Sequence, residues 1–139
     1  MKLKTDYPAK VILAWGESIS GNAQLRQWLM ENGYPELGIF VYALFNKGDA
    51  RDWLLKNGFP HLMAMINGAE GNPSALLWLK KFELTVMFHI AKAADNDDAS
   101  LHWLLTKGHK EWFVLAQKIR IVKNQIELDN NDVHKISSD

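Results

Sequence analysis

The sequence predicts an all-α chain: an α-solenoid, or α-α superhelix, of about four helix-pair repeats with an N-terminal capping helix and a longer C-terminal helix. Three observations point that way. Trp28, Trp53, Trp78 and Trp103 recur with a constant period of 25, each followed by Leu (Leu29, Leu54, Leu79, Leu104). Asn32-Gly33-Tyr34-Pro35 recurs as Asn57-Gly58-Phe59-Pro60, with Lys107-Gly108-His109-Lys110 in the same place later on. Asn-Gly followed by aromatic-Pro ends one helix and opens the next, because Gly takes the left-handed position past the last turn and Pro fits the first turn.

The elements follow in order. Tyr7-Pro8 opens a capping helix over 8–18, closed by Ser20-Gly21-Asn22. Rows one period long then cover 24–48, 49–73, 74–98 and 99–123. Each row holds two short helices. The first, as in 49–57, is N-capped by Asp49 or Ser74 and turns Trp and Leu inward. The second, as in 60–70, is largely apolar and ends at Gly71-Asn72-Pro73, or at Asn46-Lys47-Gly48 one row earlier. The third row departs from the pattern, with Phe82-Glu83-Leu84-Thr85 at the turn; Thr85 can cap, but without Gly the helix end is expected to run on or tighten. A last helix is predicted over 110–128, followed by a polar, flexible tail over 129–139. Nine helices and no strand result, with 1–128 as a single domain.

Composition narrows the function. With 47% hydrophobic residues, 139 residues suffice for one core. Sixteen basic residues balance sixteen acidic ones, so no electrostatic footprint points to nucleic acid or an anionic membrane. Cysteine is absent, which removes disulfides, thiolate metal sites and cysteine nucleophiles and suits a reducing cytoplasm. The run Val11-Ile12-Leu13-Ala14-Trp15 is too short for a signal-peptide core. Every apolar run falls short of the roughly 20 residues of a membrane helix. A soluble, cytoplasmic protein is expected.

Trp-Leu-x-x-Asn-Gly-aromatic-Pro, and segments such as Ala50-Arg51-Asp52-Trp53-Leu54-Leu55-Lys56-Asn57-Gly58, resemble the outer helix of divergent ankyrin repeats. The resemblance covers most of 8–122 and implies stacked helix pairs that bind proteins. A standard ankyrin unit has about 33 residues with a β-hairpin finger. The shorter period leaves space for the helices alone, and the Thr-Pro-Leu-His motif is missing, so binding by fingers is not implied.

The second helices are expected to form the inner layer, with the tryptophan ladder serving as glue between units. At 100° per residue, Leu37, Phe40, Val41 and Leu44 share one face while Ile39, Tyr42 and Asn46 point the other way. The same columns hold Ala64, Asn67 and Gly71; His89, Lys92 and Asn96; and Val114, Gln117 and Ile121. Aligning the capping helix by its Tyr-Pro adds Ile12 and Trp15. Trp15, Ile39, Tyr42, Asn67, His89, Lys92 and Gln117 are therefore the expected partner-binding residues, with Trp15 and Tyr42 as anchors.

No catalytic residue, metal ligand or cofactor is predicted. The five histidines form no His-Glu-x-x-His motif. Asp95-Asn96-Asp97-Asp98 begins like a calcium loop, but its sixth position is Ser100 and its twelfth Thr106, which fits a solvated turn capping the next helix. Nucleophile elbows, phosphate-cradling loops and dinucleotide fingerprints are absent. The expected function is a protein-interaction module for another protein or peptide. A small-ligand binder or enzyme with a pocket near Trp15, Tyr42 and His89, and a homodimer-forming subunit, are the alternatives.

Overall fold

The computed structural model describes residues 2–138, with side chains described for 2–131. Within them lie nine helices and no strand: α1 (Ala9–Ile19), α2 (Ala23–Glu31), α3 (Pro35–Leu44), α4 (Gly48–Lys56), α5 (Pro60–Ala69), α6 (Pro73–Lys81), α7 (Thr85–Ala94), α8 (Asp98–Thr106) and α9 (Lys110–Ser138). The starts of α2, α4, α6 and α8 keep the period of the tryptophans, as do those of α3, α5, α7 and α9.

The spacing follows from two linkers used in turn. After α4, Phe59 N–H reaches back to Leu54 C=O at 2.8 Å, with Gly58 at φ 88°. Tyr34 to Leu29, Leu84 to Leu79 and His109 to Leu104 do the same, each at 2.9 Å. This is the Schellman closure, which satisfies carbonyls that a helix end leaves open. The other linker closes identically, from Asn22, Lys47, Asn72 and Asp97 back to Glu17, Tyr42, Asn67 and Lys92. At the third-row turn the helix neither runs on nor tightens: Glu83 itself adopts the left-handed conformation at φ 58°, because the Leu84–Leu79 bond requires it there.

Caps sit two residues earlier than expected. Asn22, Asn72 and Asp97 accept from the N–H groups of Leu25, Ser74 with Ala75, and Ser100. Asp49 and Ser74 instead lie inside the first turns of α4 and α6, and Thr85 opens α7 without capping it. The reason is the linker: its last residue has the extended backbone that an N-cap needs.

The odd-numbered helices pack on one another in order, and α1 returns to pack on α9. They therefore close on themselves. Each even-numbered helix stands outside, between its two neighbours in sequence. At the centre lie Trp15, Phe40, Met65, Ile90 and Leu115, one from each odd-numbered helix at the same point of the period, all shut off from solvent. The Trp15 ring meets Phe40 and Trp112 edge-on, at 4.9 and 6.2 Å. Burying a side chain of this size contributes about 2–3 kcal/mol. Gly68 lets α5 approach α7, since a Cβ there would lie 3.0 Å from Ala91 Cβ.

α9 is held by the turn before α8. Asp95 pairs with the buried Lys123 at 3.2 Å, Asn96 exchanges two hydrogen bonds with Asn124, and Asp98 pairs with Arg120 at 2.9 Å. Asp97 caps α8. The turn thus caps as expected, and its other side chains bind the last helix. That helix continues to Ser138 instead of ending near 128, since no Gly or Pro occurs after 110 to stop it. Asp139, the last residue of the expected tail, lies outside the described residues. No helix among the described residues is long and apolar enough to cross a membrane.

Candidate functional site

Each ladder tryptophan is followed by a Leu with no solvent exposure, and it is the Leu that locks α2, α4, α6 and α8 onto the core. Trp28 is 45% exposed, whereas Trp53, Trp78 and Trp103 are partly buried and pack against the edge of the core. They contribute to the contact between units from its rim, while the Leu side chains fill its interior. A helix lying outside the others presents only a narrow face to the core, and Leu takes it.

Each indole instead leans on the aromatic of the following linker. Trp28 stacks on Tyr34, Trp53 on Phe59 and Trp103 on His109, with ring centroids 6.5, 5.9 and 5.4 Å apart. In the third row position 84 is Leu, and Phe82 takes over against Trp78 at 4.5 Å. Packed this way, the indoles wall a series of grooves on the outside of the molecule, each between an odd-numbered helix and the helix after it.

The groove between α3 and α4 has a volume of about 410 Å³ and is lined by Ile39, Tyr42, Lys47, Asp49, Ala50 and Trp53. Arg26 lies over the Tyr42 ring at 5.0 Å. One period on, the groove between α5 and α6 holds about 310 Å³ and is lined by Ala64, Asn67, Asn72, Ser74, Ala75 and Trp78, with Leu55, Pro60 and Met63. The first six are the same six columns. In the third groove, between α7 and α8, the chain supplies the contents. The His89 ring lies flat on Trp103, 4.0 Å between centroids and 19° between planes. Its Nδ1 is 2.9 Å from Ser100 Oγ, and Lys92 pairs with Asp97 at 3.0 Å. Burial, followed by the Lys92 charge, lowers the His89 pKa. The hydrogen bond from Lys92 holds the Asp97 carboxyl low as well.

Of the seven residues expected to bind a partner, Ile39, Tyr42, Asn67, His89 and Lys92 thus face this outer series of grooves, Ile39 and His89 partly buried and Tyr42 39% exposed. They do not line an inner concave face, because the odd-numbered helices close around a filled centre. Gln117 is exposed on α9 and lines neither groove. Trp15 is misplaced. Aligning α1 by Tyr7-Pro8 shifts it two residues out of register: Pro8 precedes α1, whereas Pro35 and Pro60 open α3 and α5. Counted by 25, Trp15 falls in the column of Phe40 and is wholly buried, so it cannot anchor a partner. Nor do Trp15, Tyr42 and His89 meet in one pocket, since they occupy the centre and two separate grooves.

A second polar cluster went unforeseen. The extended segment before α1 lies over the start of α3 and α5. There Tyr7 OH donates to Glu36 Oε2 at 2.8 Å, and Lys4 Nζ is 3.1 Å from the same oxygen. His61 Nε2 lies 2.7 Å from Lys4 C=O. Since a carbonyl only accepts, Nε2 carries the proton, and the buried Nδ1 has no partner among the described residues. Burial drives the His61 pKa down against the opposing pull of Lys4 C=O and Glu36. Burial and the Glu36 charge push the Tyr7 hydroxyl far up. Glu36 is 1% exposed, and its place in the first turn of α3 favours negative charge. The signal was in the sequence: Glu36 and His61 are polar entries in a column that begins with the buried Val11.

Among the described residues no three His, Asp or Glu side chains come together as a metal site would require. No protein-family model, curated protein or solved structure matches this chain.

Proposed function

We propose that this protein is a protein-interaction module, a tightly wound array of helix pairs that receives side chains of a partner protein in its outer grooves. The resemblance to ankyrin repeats belongs to this reading as far as the stacking of helix pairs is concerned. Contact through hairpin fingers or an inner concave face does not. A cytoplasmic setting completes it, supported by the cysteine-free composition.

One observation carries the reading: Trp53 and Trp78 wall two neighbouring grooves at equivalent positions, with Tyr42 exposed at the first. Trp, Tyr and Arg are the side chains that dominate binding energy at interfaces when they border pockets that can lose their water. Arg26 against Tyr42 adds the third type. A module with this surface needs neither cofactor nor catalytic group.

Affinity capture from native lysate, paired with a native mass measurement, tests it. A heterologous protein recovered in stoichiometric amount, and lost with Tyr42→Ala in a chain of unchanged thermal stability, is the expected result. A stable homodimer that captures nothing would overturn it in favour of a self-associating subunit.

A further inference from the structure

We infer that the groove walled by Trp78 receives one histidine side chain of a partner, laid flat on the indole in the position that His89 occupies against Trp103. The inference rests on the interaction-module reading and names what one of its grooves takes up. Counting by 25, His89 corresponds to Ala64, Lys92 to Asn67, Ser100 to Ala75 and Trp103 to Trp78. The chain therefore contains one copy of this groove with an imidazole in it and one copy from which the imidazole and the hydroxyl have been cut back to methyl groups. The groove as a whole has a volume of about 310 Å³. A ring and its methylene fit there.

The walls select the ring. Trp78 lines this groove at the position where Trp103 carries His89 one row later, and Leu55, Pro60 and Met63 line its apolar side. At the polar edge, the Asn72 oxygen is engaged by Ser74 N–H at 2.9 Å and Ala75 N–H at 3.3 Å. The Asn67 amide makes no side-chain hydrogen bond among the described residues, and it offers either a donor or an acceptor to one of the two ring nitrogens, whichever tautomer is presented. A phenyl ring could stack there but would cover that amide and leave it unpaired, which is unfavourable. The α3–α4 groove makes no such offer, because Ile39 and Tyr42 replace His89 and Lys92 and the Tyr42 ring already carries Arg26.

The test uses the full chain with ¹⁵N-labelled indoles and, as probes, histidine and phenylalanine blocked as N-acetyl methylamides, at pH 7.5. The Trp78 Nε1–H signal is assigned by its loss in Trp78→Phe. Saturating movement of that signal by blocked histidine in the millimolar range is expected, at least about fivefold weaker for blocked phenylalanine. The double variant Ala64→His/Ala75→Ser rebuilds the His89 arrangement in this groove; it should hold or raise the melting temperature and abolish the response. A Trp78 signal that ignores histidine, responds equally to phenylalanine, or still moves in a folded double variant would overturn the inference. The two readings fail separately. A captured partner whose binding survives the double variant overturns the histidine site and leaves the interaction module standing. A Trp78 response that is specific for histidine, in a chain that captures nothing, supports the site and counts against the module.

Discussion

Tyr7 and Glu36, 29 residues apart, share a buried hydrogen bond of 2.8 Å that fastens the segment before α1 to the first turn of α3. The carboxylate has one further partner, Lys4 Nζ at 3.1 Å. Tyr7→Phe keeps the ring, which sits 6.0 Å from Trp15 and 6.1 Å from Tyr34, and removes only the donor. Leaving a buried carboxylate short of a partner costs about 1–3 kcal/mol. Urea unfolding should show that loss, and the double variant Tyr7→Phe/Glu36→Leu should recover part of it. A Tyr7→Phe chain within about 0.5 kcal/mol of the parent, the scatter expected for an inconsequential surface change, would mean that Glu36 is not held this way.

Acid should loosen this region and the α7–α8 groove. His61 and His89 both have folded-state pKa values below the ordinary 6.5, burial being the main cause in each. Between those lowered values and about 6.5 the unfolded chain binds more protons than the folded one, so stability rises with pH across that interval. The contribution is complete above about pH 6.5. It is lost as pH falls below that, until the folded-state values are passed. His61 has the sharper reason, since its second proton must go on a buried Nδ1 that has no hydrogen-bond acceptor among the described residues. Denaturation midpoints measured from pH 7.5 to 5 should fall, and His61→Gln should flatten the slope. An unchanged slope in a folded His61→Gln chain would rule out His61 as its source.

Helices and their order were legible because the linkers are chemically explicit. Gly33, Gly58 and Gly108 mark one closure, and Gly21 and Gly71 the other. The closure of α1 on α9 was not legible, because the angle between successive helix pairs depends on how closely packed helices approach, as at Gly68 against Ala91, and no single position announces it. The grooves were half legible. Helical periodicity separated Ile39, Tyr42, Asn67 and His89 from the core face correctly. It could not say whether the far side of an inner helix looks inward to a hollow or outward to a neighbour. The register of α1 failed on one local cue: Tyr7-Pro8 imitates Tyr34-Pro35 but stands two residues earlier relative to its helix, and the count of 25 to Phe40 was the better guide.

Glu83 offers a gain in stability. Its three counterparts are Gly33, Gly58 and Gly108, at φ 93°, 88° and 81°, while Glu83 holds the left-handed region at φ 58°. That conformation costs a residue with a side chain about 1–2 kcal/mol, and glycine gives back part of the difference as a more flexible unfolded chain. Glu83→Gly should therefore stabilise the protein by about 0.5–1 kcal/mol, seen as a higher urea midpoint with an unchanged slope. Destabilisation would mean that the Glu83 side chain contributes more than its backbone loses.

Trp15 gives the most direct test of the closed arrangement. It has no solvent exposure and meets Phe40 of α3 and Trp112 of α9 edge-on, so one side chain touches the beginning and the end of the cycle. Trp15→Ala opens a hole where α1, α3 and α9 meet, and such truncations cost about 3–5 kcal/mol. In a domain of this size that is a large share of the total, so severe destabilisation is the expected result. Trp15→Phe should cost clearly less. It keeps an aromatic edge for Phe40 and Trp112, and it also removes an indole N–H that is buried without a partner among the described residues. Thermal unfolding of the two variants beside the parent decides the matter: a Trp15→Ala chain that melts near the parent temperature would place Trp15 at the surface, and the helices could not then close around it.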